Sequence, residues 1–437
     1  MIQRLTRGSV TMVERYLPDP YVLVLLLSLL VFVAAMVFEG QTPIQMVQYW
    51  GDGFWNLLTF SMQMVLVLVT GFVLASTPFF RSILRALARL ARSPGQAIIL
   101  VTLVSLAAAW INWGFGLVIG ALFARQVARE VPQVNYPLLI ASAYSGFMVW
   151  HGGLAGSIPL VIATEGHFTS EMIGVIPTSE TIFAPFNLLL VLAMVIIIPL
   201  VNRLMMSKDG VHVDTAVLGE EPELPPLSNE RPAEKMENSL LLAQAVGIMG
   251  LVFIGYYFLV RSGSLNLNIV NLMFLILGIV LHGRPSRFIA SASEAVKGST
   301  GIIIQFPFYA GIMAMMVQSG LASSLSGWFA EISTETTFPL FTFLSAGLVN
   351  IFVPSGGGQW AVQAPIMLEA GAALGVEPAR TAMAVAWGDA WTNMIQPFWA
   401  LPALAIAGLS ARDVMGYCLI VLMVTGVILG LGLMWLP

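Results

Sequence analysis

Long apolar runs, separated by short polar segments, follow one another along almost the whole chain. A helix needs roughly 20 predominantly apolar residues to cross the hydrocarbon core of a bilayer. Nine runs reach or approach that length, and we predict that each is a membrane-spanning helix. They run at about Tyr21–Phe38, Phe54–Pro78, Tyr136–Ala163, Ile182–Val201, Ser239–Val260, Leu267–His282, Gly298–Leu321, Thr381–Leu409 and Val414–Trp435.

Two further apolar runs, at about residues 96–124 and 339–374, are interrupted near their middles. The first contains Asn112 followed by Trp-Gly-Phe-Gly, and the second contains Pro354, which cannot continue a helix. Irregular backbone at membrane depth persists only where protein or a water-filled cavity surrounds it. We therefore predict two re-entrant helical hairpins. The alternative is a pair of kinked spanning helices that pack through their glycines.

The composition agrees with an all-α polytopic membrane protein. Hydrophobic residues make up 58% of the chain and charged residues only 10%, whereas an ordinary soluble domain is roughly one quarter charged. The first apolar run follows Arg4, Arg7 and Arg15 without a small-residue cleavage site, so we predict a retained span rather than a signal peptide. A single cysteine, Cys418, excludes an intramolecular disulfide and a cysteine-based metal cluster. No basic, aromatic-laced patch indicates a nucleic-acid partner.

The positions of Lys and Arg predict the orientation, because these residues concentrate in the cytoplasmic loops of membrane proteins. They predict a cytoplasmic N-terminus and a C-terminus outside. The densest basic cluster has helical spacing, which predicts a helix on the membrane surface. This cluster consists of Arg81, Arg85, Arg89 and Arg92.

An internal repeat divides the chain. Tyr144–Pro159 matches Trp387–Pro402 without a gap, and each copy follows a broken apolar run that contains an asparagine, Asn112 or Asn350. The first hairpin enters from the cytoplasm and the second from outside, so the repeats are inverted. A chance match in a glycine-rich chain is the alternative. We predict a first inverted repeat over 1–206, a cytoplasmic linker with little fixed structure over 207–238, and a linking span with the second inverted repeat over 239–437.

Interrupted segments in matching positions of inverted repeats indicate the substrate site of a transporter. Their N–H groups and the positive ends of half-helices attract anions. Close helix packing is the alternative for the glycines, and hydrogen bonds between helices are the alternative for the polar side chains. The predicted substrate-binding residues are Asn112, Gly114, Gly116, His151, Gly152, Gly153, Ser157, Ser355, Gly356, Gly357, Gly358, Gln359, Thr392, Asn393 and Gln396.

Two ionisable residues are candidates for binding a coupling ion. Asp389 is the only carboxylate well inside a predicted span, and an ionisable side chain at that depth is a functional candidate by default. His151 lies inside another predicted span, and histidine titrates near neutral pH. We predict that they carry H⁺ or, alternatively, Na⁺. A structural pairing with a hydroxyl or backbone group is the other interpretation of each. We predict no metal site and no cofactor.

Tryptophans crowd the interrupted segments, and their rings could form the wall of a pocket for a short alkyl group. Packing alone would also explain several of them. These residues are Trp110, Trp113, Trp150, Trp360, Trp387, Trp391 and Trp399.

The same segments resemble a known family. The motifs are Trp110-Ile-Asn-Trp-Gly-Phe-Gly116, Trp150-His-Gly-Gly-Leu-Ala-Gly-Ser157, Val353-Pro-Ser-Gly-Gly-Gly-Gln-Trp360 and Trp387-Gly-Asp-Ala-Trp-Thr-Asn-Met-Ile-Gln-Pro397, with Leu17-Pro-Asp-Pro-Tyr21 near the start. Together they resemble the bacterial short-chain fatty acid transporter family, the AtoE type. The resemblance implies uptake of small monocarboxylates such as acetoacetate and butyrate. It also implies the paired hairpins, elevator-type architecture and homodimer of the wider ion-transporter superfamily, whose Ser-Asn-Thr hairpin motif this sequence lacks.

We therefore predict a secondary active transporter of short-chain carboxylates, by proton symport, and not an enzyme. Three other functions stay open at this point. A Na⁺-coupled transporter of di- or tricarboxylates would share the fold. A membrane-embedded enzyme would need a nucleophile or metal cluster that the sequence does not supply. A passive channel would show uptake that is insensitive to ion gradients.

Overall fold

The computed structural model describes residue 18 and residues 20–206 and 230–436. Arg4, Arg7 and Arg15, which support the predicted orientation of the N-terminus, lie outside these residues, and so does the predicted linker from 207 to 229. The remainder of that linker has regular structure, because Pro232–Glu237 forms a short helix. The Glu234 side chain accepts hydrogen bonds from Arg231 at its start.

Helices account for all the regular structure in the described part of the chain. They are α1 Pro20–Phe38, α2 Pro43–Gly53, α3 Leu58–Ala75, α4 Pro78–Ala88, α5 Pro94–Ile111, α6 Trp113–Glu130, α7 Tyr136–Ser145, α8 Ser157–Ile162, α9 Ser170–Ile173, α10 Pro185–Leu204, α11 Pro232–Glu237, α12 Leu240–Leu259, α13 Leu267–His282, α14 Pro285–Val296, α15 Thr300–Ser319, α16 Leu321–Ile332, α17 Phe338–Phe352, α18 Gly356–Ala373, α19 Pro378–Thr392, α20 Pro397–Ala407 and α21 Ala411–Trp435. Four 3₁₀ segments accompany them, at Gly146–Gly152, Thr178–Glu180, Lys297–Ser299 and Asn393–Ile395.

Eight helical stretches of the described chain are long and apolar enough to cross a membrane. They are Tyr21–Phe38, Leu58–Ala75, Pro94–Ile111, Tyr136–Ile162, Pro185–Leu204, Pro232–Leu259, Pro285–Ser319 and Ala411–Trp435. The nine predicted spans differ from this set in three ways. Pro94–Ile111, predicted as one arm of a hairpin, has 18 residues, and Leu267–His282 has only 16. The predicted span Thr381–Leu409 is two helices, because the extended backbone of Gln396 ends the first before the proline that starts the second.

The predicted third span is also interrupted. After α7 the chain continues as the 3₁₀ segment Gly146–Gly152, and α8 begins only at Ser157. Between them Gly153 lies against the backbone of Trp110, which also accepts a hydrogen bond from the Leu154 N–H at 2.7 Å. A side chain on Gly153 would overlap that backbone. Glycine therefore lets a non-helical stretch pass close to α5.

The first hairpin consists of α5 and α6, which a single residue, Asn112, joins. The two helices run antiparallel, so that Gly116 faces Ala109 and Gly120 faces Ser105. A Cβ atom on Gly116 would overlap the Ala109 backbone. The small residues thus hold the arms at short distance, as glycines do between membrane helices.

The second hairpin consists of α17 and α18, which three residues, 353–355, join. Its arms are also antiparallel, since the Gln359 side-chain amide donates to the Ala346 carbonyl at 2.8 Å and the Thr342 hydroxyl lies 3.7 Å from the Met367 sulfur. The break falls at Pro354, where the sequence predicted it.

Equivalent helices in the two halves of the chain start 242 or 243 positions apart. Four pairs of starting residues have this spacing: Leu58 and Thr300, Pro78 and Leu321, Trp113 and Gly356, Tyr136 and Pro378. The match between Tyr144–Pro159 and Trp387–Pro402 has the same offset. The order of helices is therefore repeated along the chain.

The interrupted helices form the centre of the protein and other helices form its periphery. The stretch Tyr136–Ile162 is 94% buried, whereas the Pro232–Leu259 stretch is only 11% buried. The exposed side chains of α12 are apolar, for example Leu241 and Met249. An apolar surface of this kind suits contact with lipid. The sequence analysis did not predict two surface helices, α14 and α16. Their many small and polar residues are also typical of loops.

Candidate functional site

The Trp150–His151 pair lies at the centre of the interrupted segments. Both residues belong to the 3₁₀ segment Gly146–Gly152, and their rings stack with centroids 3.9 Å apart. Both side chains are buried. The Trp150 indole N–H donates to the Asn393 side-chain oxygen at 3.0 Å, across 243 positions of sequence. The pair therefore connects the break in the first half to the break in the second.

His151 forms a buried pair with Asp389. The His151 Nδ1 atom lies 3.2 Å from Asp389 Oδ2, and both side chains are fully buried. The Ile158 N–H donates to His151 Nε2 at 3.1 Å. A nitrogen that accepts a hydrogen bond carries a lone pair, so this network assigns the ring proton to Nδ1, facing the carboxylate. The other carboxylate oxygen, Asp389 Oδ1, has no hydrogen-bond partner in the described chain.

A polar network from the second hairpin positions Asp389. The Asn350 side-chain N–H₂ donates to the Asp389 carbonyl at 2.7 Å and to the Thr392 hydroxyl at 3.0 Å. The Gln396 side chain donates to the Asn350 carbonyl, and the Asn393 side chain donates to Gln396 at 3.3 Å. The predicted site residues Thr392, Asn393 and Gln396 thus hydrogen-bond mainly to one another and to α17. These hydrogen bonds hold the interrupted segment of the second half, Asn393–Ile395, against α17.

The first residues of two helices, α6 and α18, contact the Trp150–His151 pair. The Trp113 ring, at the start of α6, lies 6.0 Å from the Trp150 ring. Gly356, at the start of α18, packs so closely against both rings of the pair that an added Cβ would overlap them. Each helix carries a partial positive charge at this end, because its first N–H groups have no intrahelical acceptor. This arrangement suits a small anion.

A side chain caps each of these two helices. The Asn112 side-chain oxygen accepts from the Phe115 N–H at 2.9 Å, and the Ser355 hydroxyl accepts from the Gly358 N–H at 3.3 Å. Capping of this kind uses one of the first-turn N–H groups and leaves others available. Asn112 and Ser355 therefore stand at equivalent positions of the two halves.

The other predicted glycines lie in close packing contacts. Gly114 abuts Leu68 and Gly116 abuts Ala109, both away from the Trp150–His151 pair. Gly152 lies against Asn187 and Trp387. Ser157 is buried at the start of α8, seven positions before Thr164.

The rest of the second hairpin tip is covered by side chains. Gly357 packs against Phe60 and Phe306, and Gly358 packs against Tyr309. Gln359 donates to the Ala346 carbonyl, while its side-chain oxygen has no partner among the described residues. The covering groups are aromatic rings, which can rotate without moving the backbone.

Sequence reasoning missed Asn187 and left Asn350 out of the site. Asn187 donates to the Gly152 carbonyl at 3.0 Å and accepts from the Trp387 indole N–H at 2.9 Å. It thereby joins both halves one residue from His151. The available signal is an asparagine within an apolar helix, which needs a partner in the membrane.

Aromatic rings border the pair on the side of the first hairpin. The Trp113 ring contacts Trp399 with centroids 5.5 Å apart, and Phe147 stacks on Trp150 at 5.5 Å. The indole N–H of Trp113 is buried without a partner in the residues that the structure describes. Among the described residues, no three or more His, Cys, Asp or Glu side chains lie close enough together to hold a metal ion. The site therefore offers N–H groups, aromatic rings and one carboxylate–imidazole pair.

The fold resembles that of a solved membrane transporter. The crystal structure of the Alcanivorax borkumensis YdaH transporter, described as having an unusual topology, matches with a TM-score of 0.61. The match covers 95% of this chain and 98% of that one, at 17% sequence identity. At this identity the match supports the fold alone.

Sequence comparisons give closer relatives. The chain is 47% identical to an Escherichia coli K12 protein over 99% of both chains, and 43% identical to a Haemophilus influenzae protein over the full length of both. Both relatives are named provisionally as short-chain fatty acid transporters. The profile of the family described as short chain fatty acid transporter matches residues 1–436. The chain is therefore a multi-pass membrane protein of the short-chain fatty acid transporter family, whose members are transporters and not enzymes.

Proposed function

We propose that this protein is a secondary active transporter that takes up small monocarboxylates, such as acetoacetate and butyrate, across the cytoplasmic membrane of a bacterium. One observation carries the proposal: the first residues of α6 and α18 both contact the Trp150–His151 pair, Trp113 through its ring and Gly356 by close packing of its backbone. Helix N-termini attract carboxylates without a cationic side chain. The groups that contact this pair in the described chain include no lysine or arginine.

The substrate carboxylate would bind the N–H groups of Gly356 and Gly357 and the Ser355 hydroxyl. Its short alkyl group would lie against Trp113, Trp399 and the neighbouring aromatic rings. Because those rings are uncharged, a second carboxylate at the alkyl end would lose its hydration without gaining a partner. This favours monocarboxylates over dicarboxylates. Since Gly356 is covered by the Trp150 and His151 rings, binding requires these rings to rotate away.

The His151–Asp389 pair would carry the coupling proton. A buried carboxylate with one unpaired oxygen can accept a proton without breaking an existing hydrogen bond. The Ile158 N–H donates to the His151 ring and holds the imidazole in one tautomer. Proton uptake at Asp389 would therefore change only the hydrogen bond between Asp389 and His151.

Sodium coupling is the second candidate, and one observation favours it. Three buried side-chain oxygens of α17, α18 and α19 have no hydrogen-bond partner in the described chain: Asn350 Oδ1, Gln359 Oε1 and Asp389 Oδ1. Carboxylate and amide oxygens also bind hard cations. The ion dependence of uptake distinguishes the two couplings.

The transport cycle would use two inverted repeats, each with one re-entrant hairpin, in an elevator-type homodimer. The repeated helix spacing supports the repeat, and the distribution of Lys and Arg supports the inversion, the cytoplasmic N-terminus and the periplasmic C-terminus. Movement of the interrupted helices as one unit would expose the Trp150–His151 pair to either side of the inner membrane.

Uptake into proteoliposomes tests the proposal. Purified protein is reconstituted, and accumulation of radiolabelled butyrate or acetoacetate is measured with and without an inward proton gradient. We expect accumulation with the gradient alone, no dependence on Na⁺, and no competition by succinate. Accumulation only with a Na⁺ gradient would support the second candidate. Uptake that does not depend on any ion gradient would indicate a channel. Absence of uptake of both acids would contradict the proposed substrate class.

A further inference from the structure

Four aromatic rings form a stack along the interrupted span of the first half. The Trp150 and Phe147 ring centroids lie 5.5 Å apart, with an angle of 11° between the ring planes. The Phe147 and Tyr144 centroids lie 6.1 Å apart at 22°, and the His151 ring lies against Trp150. A 3₁₀ helix has three residues per turn, so residues 147 and 150 share one face, and residue 144 lies one turn before them. We call these four rings the aromatic column.

Asn393 anchors the aromatic column at two points. The Trp150 indole N–H donates to the Asn393 side-chain oxygen at 3.0 Å, and the Tyr144 hydroxyl donates to the Asn393 carbonyl at 2.6 Å. Phe147 stands between these two residues in the chain, is only 2% exposed, and stacks on both of them. Because both stacking partners are anchored to the same residue, the Phe147 ring has a fixed position in the column.

Phe147 borders two apolar regions. It contacts Trp150 and Trp399, whose centroid lies 5.9 Å from its own, and these rings surround the proposed position of the substrate's alkyl group. It also lines a separate, narrow space of about 210 Å³, which is not wide enough at any point to admit a water molecule. An apolar space of this kind stays dry. Small residues of three helices line it: Gly116 and Ala121 of α6, Ala143 of α7 and Ala403 of α20.

The length of the alkyl group decides whether it meets Phe147. Each methylene group that moves from water into an apolar space raises affinity about fourfold. A longer acid gains this affinity only where its additional carbons have room. With Phe147 in place, those carbons would overlap a ring of fixed position, and such overpacking is unfavourable. Without the ring, the narrow space beside it would join the alkyl part of the site.

We propose that Phe147 is a specificity-determining residue, which sets the upper length of the acyl chain that the protein accepts. The inference rests on the proposed function, because it requires a monocarboxylate whose alkyl group lies against the rings of the first half. The carboxylate would bind at Gly356 in every acid of the series, so Phe147 discriminates by chain length alone. Acids of about four carbons are accepted, and straight chains of six or more carbons are excluded.

Competition for exchange of labelled acetoacetate in proteoliposomes tests the proposal, with protein-free liposomes as the blank. The competitors are butyrate and hexanoate, and the readout is the ratio of their half-inhibitory concentrations, which does not depend on how much protein is active. In the unmodified protein we expect butyrate to compete at least about tenfold better than hexanoate. In Phe147→Ala we expect the ratio to change about tenfold in favour of hexanoate, because two further methylene groups find room. If Phe147→Ala does not fold, Phe147→Leu should shift the ratio about fourfold, as expected for one methylene group.

Two further variants separate chain-length selection from a general effect of removing a buried ring. Phe343 is also fully buried and packs against a tryptophan, Trp391, at 4.8 Å, but it lies outside the aromatic column. Phe343→Ala and Phe343→Leu should therefore keep the ratio within about twofold of the unmodified protein. Phe147→Ala/Ala403→Leu refills the narrow space from α20 and should restore the preference for butyrate.

The outcomes distinguish this inference from the proposed function. Acetoacetate exchange with an unchanged ratio in the Phe147 variants, or an equal change in the Phe343 variants, would overturn the role of Phe147 and leave the substrate class intact. Absence of acetoacetate exchange in the unmodified protein would contradict the proposed function, and the role of Phe147 with it.

Discussion

The two hairpins look alike in sequence, since each is an apolar run interrupted near its middle by a segment with glycines. Their glycines differ in the groups that they pack against. In the first hairpin Gly116 faces the backbone of Ala109 in the neighbouring arm. In the second, Gly356 faces the rings of Trp150 and His151, and Gly357 faces Phe60 and Phe306. A backbone contact of this kind is fixed, whereas a ring can turn aside. We infer that the first hairpin is the rigid one and that the second opens.

Unsatisfied polar groups also differ between the two hairpins. The second hairpin and α19 contain three buried amide or carboxylate oxygens without a partner in the described chain, at Asn350, Gln359 and Asp389, whereas the first hairpin contains the Ser105 hydroxyl and the Trp113 indole N–H. Leaving such an acceptor unpaired costs about 1–3 kcal/mol. The unpaired oxygens of the second hairpin and its neighbours thus raise the free energy of the folded protein. Such a cost is expected at a site that binds a proton, an ion or a solute. This comparison teaches that glycine content alone does not identify a binding loop; the partner of each glycine does.

The largest expected effect concerns the pair that joins the halves. In Asp389→Asn we expect butyrate accumulation under a proton gradient to fall at least about tenfold, while unfolding free energy changes by only about 1–2 kcal/mol, because a neutral acceptor replaces a charged one. Exchange of labelled for unlabelled butyrate, which needs no net proton movement, should persist. The exposed carboxylate variant Glu331→Gln serves as the control. Unchanged accumulation in Asp389→Asn would remove this pair from the coupling step.

The next prediction compares the hairpins directly. Gly116→Ala should lower the free energy of unfolding by about 1–3 kcal/mol, because the new methyl group meets backbone that cannot move. Gly356→Ala meets two side-chain rings rather than backbone, so it should be destabilised less than Gly116→Ala, by about 1–2 kcal/mol, which includes the disturbed hydrogen bonds of Trp150 and His151. Its uptake should nevertheless fall several-fold, since the methyl group occupies the position of the substrate. Thermal unfolding and uptake are measured on both variants. Equal destabilisation in the two would show that both hairpins are equally rigid.

A smaller effect is expected at Trp113, where the first hairpin begins its second helix. Trp113→Phe keeps the ring but removes the indole N–H, which is buried without a partner in the described residues. We expect the KM for acetoacetate to rise about fivefold with an unchanged maximal rate, because its keto oxygen would lie beside Trp113 and lose one hydrogen bond; butyrate, whose alkyl end has no acceptor, is the comparison substrate. Stability should not fall, because no hydrogen bond of the protein is lost. Trp435→Phe, at an exposed position of α21, is the control. An unchanged KM would place the substrate away from the first hairpin.

The smallest expected effect is a difference in pH dependence between the two loops that follow the interrupted spans. In the first half His167 donates from Nε2 to the Gly174 carbonyl at 2.7 Å and accepts at Nδ1 from the Thr169 hydroxyl at 2.9 Å. Burial lowers the pKa of His167 below its ordinary value of 6.5. The unfolded segment therefore binds a proton more readily than the folded one, and local stability is lost as the pH falls below about 6.5.

Hydrogen exchange measures this loss. Residues 167–174 should exchange a few-fold faster near pH 5.5 than near pH 7.5, after correction for intrinsic rates, and His167→Gln should abolish that difference. The equivalent loop of the second half, around Ser410, contains no histidine and should show no such change. Equal pH dependence in both loops would contradict the role of His167.

Local signals made much of the fold predictable. Asn112 and Pro354 end helices through their own capping and backbone properties, so both breaks could be placed from sequence. The extended backbone at Gln396 precedes a proline for the same reason. The helices α14 and α16 could not be placed, because they have neither the long apolar run that identifies a span nor the regularly spaced arginines that predicted α4.

The pairing of site residues was beyond the sequence. His151 and Asp389 were each predicted to carry the coupling ion, but 238 positions separate them, and no local pattern joins one to the other. Asn187 and Trp387 are 200 positions apart and meet only because the interrupted helices pack together. The contacts of Gly114 and Gly116 with fixed backbone were equally invisible, since a glycine in sequence does not show what it faces.

A cryo-EM structure of the reconstituted protein with bound butyrate tests the central claim most directly, namely that the N-terminus of α18 binds the carboxylate beside the Trp150–His151 pair. We predict carboxylate density within hydrogen-bond distance of the Gly356 and Gly357 N–H groups, with the His151 ring rotated away and the α5–α6 arms unchanged. Density bound to a lysine or arginine, or at any place that touches neither Gly356 nor Trp113, would contradict it.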